Sequence, residues 1–289
     1  MRFPYLPGEG EVSINSRIAN AFIAACRDEL QALKPGNVHV FADGHRMTAA
    51  AFVASAEAAA PALTEPGRRV GQRILGAVEA TQAAVGTNTN LGIILLCAPL
   101  AAAAEGASSD LQAAVADVLE RLDIEDAQLA FRAIALANPG GLGHAAQHDV
   151  RAPATVSLRD AMAAAADRDS VARQYASGFA DVFAIGGAAL QEARLRACDP
   201  TWATLAAYLA FLSAFPDTHV VRKHGLAVAE EVRRSALRFR DRFMASNDPS
   251  HLHDDLMAWD TELKARRINP GTSADLTVAT LFASGIGPS

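Results

Sequence analysis

The chain has 289 residues, 51% of them hydrophobic and 20% charged, enough for one large core or two small ones. Its formal net charge of -6 excludes a chain-wide basic field for nucleic acid, so any anion site must be local. Three scattered cysteines, Cys26, Cys97 and Cys198, show no CxxC spacing and read as reduced thiols of a cytoplasmic protein rather than zinc ligands.

The start, Met1 to Gly8, carries prolines where a signal peptide would need an apolar core. Ser16 to Leu33 then reads as a helix, with Asn15 and Ser16 as caps and Ile18, Phe22, Ala25, Cys26 and Leu30 on one face. Thr48 caps a helix to Leu63, and Arg68 to Val85 stops at Gly86. Asn90 to Ala104 is apolar but interrupted by Pro99 and too short for a membrane span, so it reads as a buried core helix. Asp110 to Leu122, Ile124 to Ala137 and Ser157 to Asp167 follow. Ser170 to Arg196 is next, with Gly178 and Gly186-Gly187 as bends or breaks. Thr201 to Phe215 ends at Pro216, and Gly225 to Met244 is charged and amphipathic. Ser250 to Ala265 starts with a Ser cap and an acidic first turn. Thr272 to Ser284 closes the series. Strand-type alternation is scarce. The expectation is an all-α single domain over residues 1–289 with no internal repeat and no membrane segment. Its alanine-rich helices allow a homodimer without requiring one.

Polar residues concentrate in the connections. Lys34-Pro35-Gly36-Asn37 breaks the first helix with a turn whose amides can face an anion, and His39 and His45 lie further along. A plain helix stop with a C-terminal lysine explains the same tetrapeptide. Thr87-Asn88-Thr89-Asn90 precedes an apolar helix; a simple N-cap accounts for one or two of these residues but not for four. Asp217 precedes Arg222 and Lys223 in a segment read as a loop. There a carboxylate suits Mg²⁺ and the cations suit phosphate, or the aspartate merely caps. Asn269 to Asp275 is a turn with Thr272 or Ser273 as the cap of the last helix. Asn138 to Asp149 is Gly-rich without the spacing of a phosphate loop or dinucleotide fingerprint, and reads as a lid or a connection.

In order and spacing these segments resemble the triphosphoribosyl-dephospho-coenzyme A synthase family, which serves citrate lyase and malonate decarboxylase. The resemblance rests on Glu29 with Lys34-Pro35-Gly36, His45 with Met47, and Phe52 with Ser55. It continues through Asn88-Thr89-Asn90-Leu91-Gly92, Asp217-Thr218-His219 with Arg222 and Gly225, and Asn269 to Leu276. Arg46 stands where the family has Asp, and Asn90-Leu91 where it has His-Lys. This marks a divergent branch, similar to members linked to tetrahydromethanopterin-type C1 metabolism.

The resemblance implies a transferase that displaces adenine from ATP and joins the ribosyl triphosphate to a hydroxyl of dephospho-CoA or a pterin precursor. It implies that Mg²⁺ with Lys34, Arg222 and Lys223 holds the triphosphate, and that Gly36, Asn37, Asn88, Thr89, Asn90 and Ser273 also contact the nucleotide. Asp217, Asp275 and Glu29 would hold the metal. Glu29, Asp217 or His39 would act as base, and His45 or Asn88 would assist the departing adenine. A Mg²⁺-dependent N-glycoside hydrolase and a non-catalytic nucleotide-binding protein are the other readings of the same residues.

Overall fold

The computed structural model describes residues 14–42, 48–106, 108–140, 147–196 and 199–287. Among these the chain is all-α, with no strand; the one β-bridge pairs His39 with Ala42. His45, Arg46 and Cys198, all singled out from the sequence, lie outside the described residues.

The helices run α1 (Ile14–Gln31), α2 (Ala49–Leu63), α3 (Val70–Val85), α4 (Leu91–Ala104), α5 (Leu111–Glu120), α6 (Ile124–Ala137) and α7 (Leu158–Ala163). They continue as α8 (Ser170–Ser177), α9 (Ala188–Leu195), α10 (Pro200–Ala214), α11 (Thr218–His224), α12 (Leu226–Ala245), α13 (His253–Ala265) and α14 (Gly271–Ile286). A π-helical turn, Val182–Gly187, precedes α9, and a 3₁₀ turn, Pro249–Leu252, precedes α13.

Local chemistry sets most boundaries. The Thr48 hydroxyl accepts from Ala51 N to start α2, and Asp123 accepts from Glu125 N and Asp126 N to start α6. Gly86, at φ 69°, ends α3 in the left-handed conformation that glycine adopts without strain.

Helices α4, α10 and α14 carry apolar residues around most of their circumference and form the centre. The amphipathic α1 packs along α14, with Phe22 against Phe282 edge to face. Helix α4 runs unbroken through Pro99 and is buried in the core. Among the described residues no helix is long and apolar enough to cross a membrane.

Ser170 to Arg196 breaks at Gly178, as its sequence suggested: Gly178 turns left-handed at φ 65° after α8, and the chain re-enters as a π-helical turn that holds Gly186-Gly187. Three expectations are corrected. The segment after Asp217 is the helix α11, not a loop, because the Asp217 carboxylate accepts from His219 N and Val220 N. The cap before α13 is Asp248, which accepts from Ser250 N; Ser250 itself caps nothing. Neither Thr272 nor Ser273 caps α14, which begins at Gly271.

The π-helical turn lets the backbone at Gly186 lie against α10 and α14, where an added Cβ would collide with Phe211 and with the Thr280 hydroxyl. Gly186→Ala is therefore expected to cost about 1–3 kcal/mol through overpacking, read as a lowered urea midpoint with unchanged slope.

Candidate active site

A cavity of about 650 Å³ opens where the first turns of α4, α8 and α14 meet α11. That volume suits a nucleotide-sized ligand. Its polar half is lined by Glu29 from α1, Asn37, Asn88 and Thr89, by Thr218, His219, Arg222 and Lys223 from α11, and by Asn269, Thr272 and Asp275. Most of the apolar lining comes from α4, α6, α7 and α8.

Asp275 is the chemically exposed feature of the polar half. Its carboxylate lies against the first turn of α4, where a side chain on Gly92 would clash with it and would come within 2.6 Å of its Cγ. Glycine at position 92 is thus a space requirement. Burial pushes the Asp275 pKa well above the ordinary carboxylate value, and the nearby charges of Asp217, Glu29 and Asp169 push it further. Arg222 opposes this only weakly in the order of causes. A carboxylate in this position favours a cation or a proton.

Glu29 reaches the cavity from a buried network. Lys34 Nζ lies 3.0 Å from Glu29 Oε1, with both side chains almost wholly withdrawn from water. The ammonium also donates to the Val38 carbonyl. Burial raises the Glu29 pKa, and Lys34 pulls it back. Around this pair the turn is pinned on every side. Gly36 N donates to Asp260 Oδ1 at 2.8 Å, Tyr208 donates to the Pro35 carbonyl at 2.8 Å, and Asn37 Nδ2 donates to Asn269 Oδ1 at 2.8 Å. Gly36 adopts φ 84°, which explains glycine there.

The two aspartates expected to share one role therefore differ. Asp217 is fully buried: Oδ1 accepts from His219 N and Val220 N, and Oδ2 from Ser273 N and Oγ at 2.7 and 2.8 Å. It staples the start of α11 to the start of α14 and does not line the cavity. Burial raises its pKa while these donors lower it.

Arg222 spans the two halves, its Nε donating to the Gly140 carbonyl at 3.3 Å and its Nη1 lying 3.7 Å from Asp169. Lys223 stands beside it, its pKa lowered by burial and then by Arg222. The side chain of Asn88 accepts from Leu91 N at 3.2 Å, and Thr89 donates to Ser55 Oγ at 2.6 Å.

Of the residues singled out from the sequence, Glu29, Asn37, Asn88, Thr89, Arg222, Lys223 and Asp275 line one cavity. Lys34, Gly36, His39, Asn90, Asp217 and Ser273 do not. Lys34 serves Glu29 from behind. His39 is buried against Asp260 at 3.3 Å, and burial lowers its pKa, which favours the neutral ring. Asn90 is buried at the N-cap of α4 without a side-chain capping bond. Among the described residues no group of three or more His, Cys, Asp or Glu forms a metal cage.

Sequence reasoning left out Arg168 and Asp169 and gave His219 and Thr272 no role at the site, and all four line the cavity. Asp169 was legible as a cap, since it accepts from Val171 N and Ala172 N. The Thr218–Thr272 contact at 3.1 Å joins two helix starts far apart in the chain and left no sequence signal.

A family model described as CitG: ATP:dephospho-CoA triphosphoribosyl transferase matches residues 15–288. A solved structure from Archaeoglobus fulgidus, provisionally named a triphosphoribosyl-dephospho-CoA synthase, is similar at 26% identity and a TM-score of 0.62. That match covers 80% of this chain and 97% of the other. No curated protein matches.

Proposed function

This chain belongs to the ATP:dephospho-CoA triphosphoribosyl transferase family and is a transferase, and from that premise we propose how its residues divide the reaction. The observation that carries the proposal is Asp275. It is a carboxylate of the cavity lining that feels the charges of Glu29 and Arg222, and Lys223 lines the same cavity. The triphosphate of ATP, held with Mg²⁺, matches that arrangement of charge.

The donor set fits the metal. Mg²⁺ takes one or two carboxylates, waters and substrate phosphates rather than an all-protein cage. Asp275 would hold it, with Glu29 adding its field, while Asp217 keeps its four donors and fixes the helix start that carries Asp275. Bound there, Mg²⁺ neutralises phosphate charge. Arg222 and Lys223 bind phosphate oxygens as a fork and a point charge. The first turns of α4, α8 and α14 add the favourable ends of their dipoles.

Of the three candidate bases, Glu29 alone reaches the cavity. It takes the proton of the acceptor hydroxyl as that oxygen attacks C1′ of the ATP ribose. Burial raises its pKa, which suits proton acceptance, and the Lys34 charge opposes that shift. Dephospho-CoA is the acceptor named by the family description; a pterin precursor is the other acceptor of the right kind, a small molecule with a free hydroxyl. Two copies of the chain joining through alanine-rich faces, in the cytoplasm, complete the proposal.

Replacing both cations, as R222Q/K223Q, should weaken Mg-ATP binding by at least about a hundredfold, since two charge-assisted contacts are lost. Isothermal titration checks this. Unchanged affinity would remove the triphosphate from this end of the cavity.

A further inference from the structure

We propose that the apolar wall of the cavity receives the nucleotide's base, and that His148, which lines the same cavity, protonates the base as it departs. This rests on the transferase reading above.

The wall is built by Leu95 of α4, Phe131 and Ile134 of α6, Met162 of α7, Ala165 in the turn that follows it, and Val171 of α8. None of these side chains is charged; the cations of the lining are Arg168, Arg222 and Lys223. The triphosphate belongs with those cations, because phosphate charge buried against an apolar wall without partners costs far more than the wall returns. What enters must be neutral and flat. In ATP only the purine meets that description, and bases stack favourably on apolar and aromatic side chains whatever their identity.

The cavity also carries two kinds of proton group. Its carboxylates can take a proton, and the imidazole of His148 stands in the same lining to give one. His148 lines the cavity with its backbone at φ 52°, a left-handed conformation uncommon outside glycine. Such strain persists only where the surroundings impose it. Asp149 lines the cavity beside it.

The balance of the step is complete. The acceptor O–C1′ bond forms while the C1′–N9 bond breaks. The electron pair of the broken bond passes to the purine. The proton from the His148 imidazolium goes to a purine ring nitrogen, and the acceptor's proton goes to Glu29. Adenine leaves neutral, and no further reactant is needed. In such a single displacement, base and acceptor lie on opposite sides of the ribose.

The test is equilibrium binding of Mg-ATP, free adenine and tripolyphosphate to the full chain and to Ala165→Trp. Ala165 is only half-buried, so the indole fills the pocket without opening the core. We expect Ala165→Trp to weaken ATP and adenine by at least about tenfold and to leave tripolyphosphate unchanged, which also certifies the fold. Unchanged ATP and adenine affinity with a raised KM for the acceptor would overturn the base pocket and leave the transferase reading intact. Adenine bound by the unaltered chain with neither ATP nor tripolyphosphate bound would overturn the transferase reading instead. For His148, H148N should lower kcat by roughly 10²–10⁴-fold with little change in KM for ATP. A 7-methylpurine nucleoside triphosphate, whose base is already cationic, should restore turnover in H148N. Failure of that rescue, with ATP binding intact, would overturn the acid assignment.

Discussion

Asp275→Asn should yield a protein that folds better and transfers worse. Asparagine keeps the shape beside Gly92 and removes the charge that burial and the neighbouring carboxylates disfavour. The sign follows from the direction of the shift. A carboxyl whose folded pKa is raised above its unfolded value loses stability as pH climbs through that interval and stays penalised above it. At neutral pH the native protein carries that penalty and D275N does not. The gain should be about 0.5–2 kcal/mol without ligand, read by urea unfolding. Turnover should fall by about 10²–10³-fold, the usual cost of removing one preorganised electrostatic group. The same substitution should abolish the Mg²⁺ dependence of ATP binding. A destabilised D275N with normal turnover would mean that Asp275 is a structural partner and that the metal sits elsewhere.

Lys34→Met should unfold the site from behind. The substitution leaves Glu29 buried with no countercharge and removes the donor to the Val38 carbonyl. Breaking a buried ion pair from one side costs about 3–5 kcal/mol, a large share of what a domain of this kind has. The double variant E29Q/K34M should recover most of that loss, because neither partner is then left charged and alone. Glu29→Gln alone leaves the ammonium of Lys34 unpaired and should be the intermediate case. Urea midpoints of the three variants and the parent close the cycle. If K34M instead keeps its stability and loses ATP affinity, the lysine reaches phosphate, as the sequence suggested, and the buried pair is incidental.

That reversal for Lys34 shows where the sequence was legible and where it was not. Fold class was plain, because alanine-rich segments with helical period and few alternating runs admit little else. Boundaries were readable wherever one short-range signal decided them: Asp123 before α6, Thr48 before α2, Gly86 after α3. The helix α11 was hidden because its seven residues carry five polar or charged groups and too few turns for a period. The cap that makes it, Asp217, was read as a ligand, since a carboxylate ahead of two cations fits both roles.

The segments that line the cavity were identified as a set, yet only some of the residues singled out in them face it. Whether a residue faces ligand or core depends on partners more than two hundred positions away. Gly36 meets Asp260, and Asn37 meets Asn269. No pattern within the turn from Lys34 to His39 reveals that Lys34 points inward while Asn37 points to the cavity. The apolar wall was invisible as a site for a related reason: Phe131, Ile134 and Met162 look like any core residues until the helices leave a gap between them.

The most direct test of the account is the fate of ATP. Full-length chain incubated with ATP, Mg²⁺ and dephospho-CoA or a pterin precursor should release adenine, with an equimolar product carrying an added ribosyl triphosphate by mass spectrometry. Adenine released without that product would make the chain an N-glycoside hydrolase. Release of ADP or phosphate in place of adenine would contradict attack at C1′ and with it the assignment of Glu29, Asp275 and His148.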